Sequence, residues 1–264
     1  MHPDWLIPRW PAPLGVKAMC TTRAGGHSAA PYDSFNLGDH VGDRAQDVAA
    51  NRNALALSLG AKPVFLSQVH GTQVQWLGPD TAQGTPADAC LTDQPGLVCT
   101  IMVADCLPVL FTNVCGSHVA AAHAGWRGLA GEGGRGVLEA VLERFEALDV
   151  VNNSTGASEI IAWLGPCIGP KTFEVGEEVF AAFVAHDPAA HTLFRPHSTP
   201  ASASPKWLAD LPGLARLRLS ALGVGRVYGN DGTRDWCTVS NPSLFFSHRR
   251  DGVSGRFAAC IWRS

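Results

Sequence analysis

The apolar runs of this chain stand too close together for a strand–helix–strand alternation. Leu97 to Val103, Leu107 to Thr112 and His118 to His123 follow one another through short links, whereas a parallel crossover takes a dozen or more residues, usually a helix. The spacing predicts hairpins in a mixed or antiparallel sheet, and so an α+β rather than a doubly wound architecture. Val16 to Thr22, Val64 to Gln68, Val74 to Leu77, Ile160 to Leu164 and Phe257 to Trp262 add further strands. A helix is expected from a cap at Asp43 to a stop at Gly60, with Val48, Ala49, Leu55 and Leu57 as its apolar positions. Others are expected over Gly136 to Leu148, Val175 to His186 and Trp207 to Leu222. The long Gly/Pro/Asn/Asp-rich stretch from Arg23 to Gly42 reads as a functional loop, and the proline-rich Pro188 to Pro205 as a surface excursion and lid candidate.

Charge excludes one class of partner. Asp and Glu (23) outnumber Lys and Arg (20), for a formal charge of -3, and no basic tract follows a phosphate backbone, so no nucleic acid is expected. No membrane is expected either: the most apolar stretch, Leu97 to Phe111, is interrupted by Asp105 and Pro108 and falls short of the ~18 residues a span needs. Met1 to Leu14 carries four prolines, Asp4 and Arg9, which does not suit a secretory signal. Eight scattered cysteines without a CxxC pair are those of a reduced, cytoplasmic chain.

Candidate chemistry lies at the strand ends. His70 follows one apolar run, Cys106 stands between two others and His123 ends a third. If they converge, two imidazoles and a thiolate make three ligands with a fourth position open, the pattern of catalytic zinc. Asp105 beside Cys106 is a candidate outer hydrogen-bond acceptor or proton acceptor, or simply a turn cap. The spacing alone leaves a second arrangement open, with Cys106 as a nucleophile and His123 or His70 as its base. Cys167 in its Gly-Pro loop and Trp126 beside a Gly turn read as packing residues, Trp126 as a wall.

The segments Thr21-Thr22-Arg23-Ala24-Gly25-Gly26, Phe35-Asn36-Leu37-Gly38, Asn51-Arg52, Gln68-Val69-His70-Gly71, Ala104-Asp105-Cys106-Leu107-Pro108, His123-Ala124-Gly125-Trp126-Arg127-Gly128 and Gly165-Pro166-Cys167-Ile168-Gly169 together resemble the YfiH-like family. Its members are variously called polyphenol oxidase or laccase-domain proteins, purine nucleoside phosphorylases and peptidoglycan editing factors. The resemblance runs in order along nearly the whole chain. It implies one catalytic domain over residues 1–264, a four-layer α/β/β/α sandwich, and a metal, zinc or copper, at His70, Cys106 and His123. It further implies phosphorolysis of purine nucleosides to base and ribose 1-phosphate, with adenosine deamination and methylthioadenosine cleavage beside it. Cys90 and Gly131-Glu132-Gly133-Gly134 depart from the family's pattern, the second at the expected pocket rim.

Phosphorolysis needs an anion clamp against the anomeric carbon. Arg127 and Arg52 are the candidates, with the amino end of the helix after Gly136 as a further attraction for phosphate. The formal GxGxxG at Gly131, Gly133 and Gly136 is discounted as a dinucleotide site, because Gly125-Trp126-Arg127-Gly128 separates it from the preceding strand. Laccase chemistry needs four coppers held largely by paired histidines, and no HxH occurs; any copper would follow from its high intrinsic affinity for N/S donors. A Cys-His hydrolase or amidase editing peptidoglycan precursors, and a copper-dependent polyphenol oxidase, are the alternative activities. The oligomeric state is not written in these features.

Overall fold

The computed structural model describes residues 2–152, 159–197 and 204–264. Its strands form two larger sheets and a small one. The five-stranded sheet runs β1 (Val16–Cys20), β14 (Phe257–Arg263), β6 (Leu97–Val103), β2 (Lys62–Ser67), β4 (Thr85–Pro86). The six-stranded sheet runs β13 (Arg226–Gly229), β9 (Ile160–Leu164), β7 (Leu107–Asn113), β8 (Val119–Ala124), β5 (Ala89–Thr92), β3 (Val74–Trp76). Both mix parallel and antiparallel pairs: β14 is antiparallel to β6 while β2 is parallel to it, and β7 is antiparallel to β8 and β9 while β13 is parallel to β9.

Side-chain alternation along the central strands explains the layering. In β6, Cys99, Ile101 and Val103 face one apolar cluster while Val98 and Met102 face another. In β7, Leu107, Val109 and Phe111 join a third cluster, and Leu110 points back into the first. These strands read as continuous apolar runs because both faces are buried. The inner cluster lies between the sheets. Outside the five-stranded sheet lies α1 (Ala45–Leu59), through Leu55 and Leu59. Outside the six-stranded sheet lie α2 (Trp126–Ala130), α3 (Val137–Asn152), α4 (Glu177–Val184) and α5 (Leu211–Ala221), through residues such as Leu129, Val141, Phe145, Phe183 and Leu214. This is the expected α/β/β/α sandwich of mixed sheets. Among the described residues no helix is long and apolar enough to cross a membrane.

Several expectations need correction. Leu97–Val103 and Leu107–Asn113 are not a hairpin: they belong to different sheets, and Ala104-Asp105-Cys106 carries the chain across the sandwich. α1 starts after Arg44, not Asp43; the Asp43 carboxylate is taken by the Asn36 side chain and the Arg44 N–H. The starts of two expected helices are strands. β10 (Glu174–Gly176) precedes α4 and β12 (Lys206–Ala209) precedes α5, and Asp210 caps α5 by accepting from Gly213. With β11 (Phe194–Pro196) they make the small sheet. The lid candidate therefore folds, over its described residues, as a 3-10 turn at Pro188–Leu193 and part of the β11–β12 pairing. Phe180 of α4 stacks on Trp207 with centroids 4.1 Å apart; residues 198–203 lie outside the described residues.

Candidate metal centre

The chain changes sheets twice near one end of the inner layer, and each crossing delivers a site residue. Between β2 and β3 it passes through His70, and between β6 and β7 through Asp105 and Cys106. His70 (φ 62°) and Asp105 (φ 95°) are the non-glycine residues with positive φ among those described, a conformation that costs an L-residue on the order of 1–2 kcal/mol. The third residue, His123, comes from β8 on the same side as Ala121, which faces the inner layer.

The three converge. Ligand atoms of His70, Cys106 and His123 all lie within 4.8 Å of one another. His70 Nε2 is 3.8 Å from Cys106 Sγ, and the two imidazole rings meet edge to face at 4.7 Å. Gly125 passes so close that a Cβ there would stand 2.9 Å from Cys106 Sγ and 3.0 Å from His70 Cδ2, so a side chain at this position would push on the donors. Two nitrogens and one sulfur suit zinc, or copper, and three protein ligands leave a position for substrate.

In the metal-free site electrostatics favour a thiolate beside a protonated imidazole, and a metal held here would take the place of the His123 Nε2 proton. Burial pushes the Cys106 thiol up, but the charge and hydrogen bonds of His123, and the hydrogen bond of His70, outweigh it and bring the thiol down to about 6. Burial likewise disfavours charge on His123, yet Cys106 and Asp88 raise it to about 9. Asp88 is fully buried and accepts from His123 Nδ1 at 2.8 Å. Its carboxylate also accepts the main-chain N–H groups of Val69 (3.1 Å), His70 (2.8 Å) and Gly71 (2.7 Å).

The donors open into a cavity of about 430 Å³. Trp126, Phe173, Ile168 and Met102 give it apolar surface; Arg127, Arg249 and Arg256 bring guanidinium groups, and His40 and His248 imidazoles. Arg127 lies over the Trp126 ring at 4.4 Å, and Arg249 is tied through Nη1 to the Glu174 carbonyl at 2.9 Å. Asp105 accepts from the Thr238 hydroxyl and the Arg249 main-chain N–H, each at 2.6 Å.

Other candidates fall elsewhere. Arg52 does not line this cavity: its guanidinium stacks on Phe65 at 4.2 Å, donates to the Leu37 carbonyl and pairs with Asp39 at 3.1 Å. At the amino end of α3 the Glu139 carboxylate already accepts the Gly136 N–H and an Arg218 hydrogen bond, and Gly136 does not line the cavity. Gly131 to Gly134 form a tight turn bridged from Glu132 to Arg135, against His186 and away from the cavity lining, which corrects their placement at the rim. Cys167 is packed as expected, accepting from Asn230 Nδ2. Sequence reasoning missed Asp88, Arg249, Arg256, His40 and His248. The signals were an acid flanked by alanines next to an apolar run, and the basic cluster His248-Arg249-Arg250.

The comparisons with known proteins agree with this architecture. Residues 17–264 match the family model described as multi-copper polyphenol oxidoreductase laccase. The chain is 46% identical over 258 residues to a Pseudomonas aeruginosa protein named purine nucleoside phosphorylase, covering 98% of each chain. To Escherichia coli "Purine nucleoside phosphorylase YfiH" it is 46% identical over 259 residues, covering 97% of this chain and 98% of that one. A Neisseria meningitidis crystal structure assigned to DUF152 superposes with a TM-score of 0.85 at 43% identity, covering 99% of both chains. YlmD from Geobacillus stearothermophilus gives 0.76 at 33%, covering 95% of this chain and 92% of that one. The chain belongs to the YfiH/DUF152 family.

Proposed function

We propose that this protein is a zinc-dependent purine nucleoside phosphorylase acting, as one catalytic domain in the cytoplasm, on adenosine or inosine and phosphate. The observation that carries this reading is that the His70/Cys106/His123 donors and the Arg127, Arg249 and Arg256 guanidinium groups line one cavity of about 430 Å³. That space lies in the range of small-molecule sites, and the names of the relatives support the substrate class. His70, Cys106 and His123 would hold the metal, which supplies Lewis-acid chemistry when bound.

The chain's own residues do the rest. The guanidinium groups bind phosphate and hold it against the sugar, which removes much of the entropic cost of a bimolecular displacement. Trp126, Phe173 and Ile168 supply the apolar surface for a purine and keep water from competing as the nucleophile. Both Asp105 oxygens are engaged, so Asp105 acts as the outer hydrogen-bond acceptor that fixes Arg249. Arg52, tied to Asp39 and Leu37, is left out of the clamp. Adenosine deamination and methylthioadenosine phosphorolysis are assigned to the same cavity.

The test is metal analysis of protein purified without added metal, followed by an assay with inosine and phosphate. About one zinc per chain and formation of ribose 1-phosphate are expected, with ammonia released from adenosine for the deaminase activity. A folded, zinc-loaded protein that forms no sugar phosphate from any purine nucleoside overturns the reading.

The lowered Cys106 thiol beside a raised His123 favours a second reading, a Cys-His hydrolase or amidase acting on peptidoglycan precursors. Full activity in metal-free protein, abolished by thiol alkylation and measured as an amino acid released without phosphate, would select it. A multi-copper oxidase fits the ligands poorly. Among the described residues His70, Cys106 and His123 are the one such group of three or more, and three donors do not hold four coppers. Oxidation of a polyphenol by the copper-loaded protein would reverse that judgement.

A further inference from the structure

We infer that Asp88 is the positioning residue of this site: one buried carboxylate that presets both imidazoles, His123 through its ring and His70 through its main chain. The inference deepens the metal-site reading and rests on it only for the affinity arm of the test below.

The two halves of the argument are independent. His123 gives Nδ1 to Asp88 at 2.8 Å, which leaves Nε2 as the nitrogen turned toward Cys106 and His70. The same residues are also joined along the backbone, His123 N–H donating to the Asp88 carbonyl at 2.7 Å. A histidine held this way keeps one ring orientation with Nδ1 protonated, and becomes a stronger donor at Nε2 once that nitrogen gives up its proton to a metal. His70 is reached differently. Its positive φ of 62° turns successive N–H groups toward one point, the geometry of an anion-holding main-chain nest. The anion is the Asp88 carboxylate, which takes the N–H groups of Val69, His70 and Gly71. Small residues keep the turn seated: a Cβ on Gly71 would come within 3.4 Å of Asp88 Oδ2, and one on Gly128 within 2.7 Å of the Gly71 carbonyl oxygen.

The consequence is specific. His70 and Val69 are exposed, and the His70 ring meets only its neighbours in the site, His123 and Cys106, and the Gly125 backbone; the main chain of the crossing is held by the Asp88 carboxylate, buried below it. Removing its charge would release the His70 turn and free the His123 ring together, leaving Cys106 as the one donor still held by its own strand link.

Three measurements decide it. In the wild-type protein the His123 Nδ1 proton should give a strongly downfield, slowly exchanging proton NMR signal, absent in His123→Ala and lost or displaced in Asp88→Asn. The amides of Val69, His70 and Gly71 should exchange with deuterium at least 100-fold more slowly than expected for an exposed turn, and this arm needs no variant to fold. With zinc alone as ligand, in competition with a chromophoric chelator, Asp88→Asn should bind 10- to 100-fold more weakly at unchanged stoichiometry. Fast exchange at all three amides, no downfield signal in wild type, or wild-type zinc affinity in folded Asp88→Asn each overturns the inference. Wild-type protein that binds no zinc defeats the metal reading instead, and the two zinc-free measurements still judge Asp88.

Discussion

The two walls of the cavity are built on different principles. On one side stand His70, Cys106 and His123, held by sheet crossings, a strand and carboxylates buried beneath them. On the other stand Arg127, Arg249 and His248, exposed side chains on short helical segments, with half-buried Arg256 at the start of β14. The first wall fixes distances between atoms; the second gathers charge and lets its long side chains adjust. A metal tolerates little error in ligand position, whereas an anion can be met by several guanidinium geometries, so rigidity is placed where the chemistry needs it.

The comparison breaks most sharply at Cys106. Cys106→Ala should lose the bound zinc, read by metal analysis, and lower phosphorolysis by at least ~10³-fold, since one ligand of three is gone; retention of both would erase the distinction between the walls. On the other wall, Arg256→Ala should raise the KM for phosphate by about 10- to 100-fold, the equivalent of ~1.4–2.7 kcal/mol, with zinc content unchanged in the same preparation. Gly125→Ala sharpens the contrast. Its new methyl meets Cys106 and His70 at about 3 Å and should weaken zinc binding about tenfold, while Gly78→Ala, with nothing within 4 Å, should leave it unaltered.

Acidity gives a smaller, graded effect. In metal-free protein the rate of Cys106 alkylation should fall as pH drops through about 6. The depressed thiol contributes stability that is present at high pH and lost as pH falls through about 6, and the raised imidazole contributes stability that is present at low pH and lost as pH rises through about 9. Thermal denaturation of metal-free protein should therefore show its highest midpoint between those limits. Least of all for activity, Arg52→Ala should change phosphorolysis less than about twofold; it should cost about 1–3 kcal/mol of stability, mostly through the lost stack on Phe65 and the unpaired Leu37 carbonyl rather than through the exposed Asp39 pair.

The strands of the mixed sheets were legible in the sequence because apolar runs such as those around β6 and β7 carry their own length, whereas the four layers followed from the family resemblance and not from the runs. Boundaries were less legible. Trp207–Ala209 falls at the start of the helix expected over Trp207 to Leu222, yet β10 and β11 pair with it and draw it into the small sheet. The donor trio stood out as candidates because each residue sits where an apolar run stops, but it was the family resemblance that singled the three out as one ligand set. Asp88 did not stand out, since a lone acid between alanines says nothing about which distant N–H groups will find it. The basic wall was hidden for the same reason: Arg249 reaches the site through a contact with Asp105 across 144 positions of chain. The Ala104-Asp105-Cys106 link shows the limit of local reasoning, for a short connection between strands fits a hairpin and a change of sheet equally well.

The place of β14 has a consequence for biosynthesis. Phe257–Arg263 lies between β1 and β6, joined to both, so strands made early wait for one made late. A nascent chain on the ribosome cannot close that sheet until nearly everything described here has emerged, and sequence-distant pairings of this sort form slowly. Closing the sheet around β14 should thus be a late step of folding, with β1 held at that edge only after Phe257–Arg263 has taken its place beside β6.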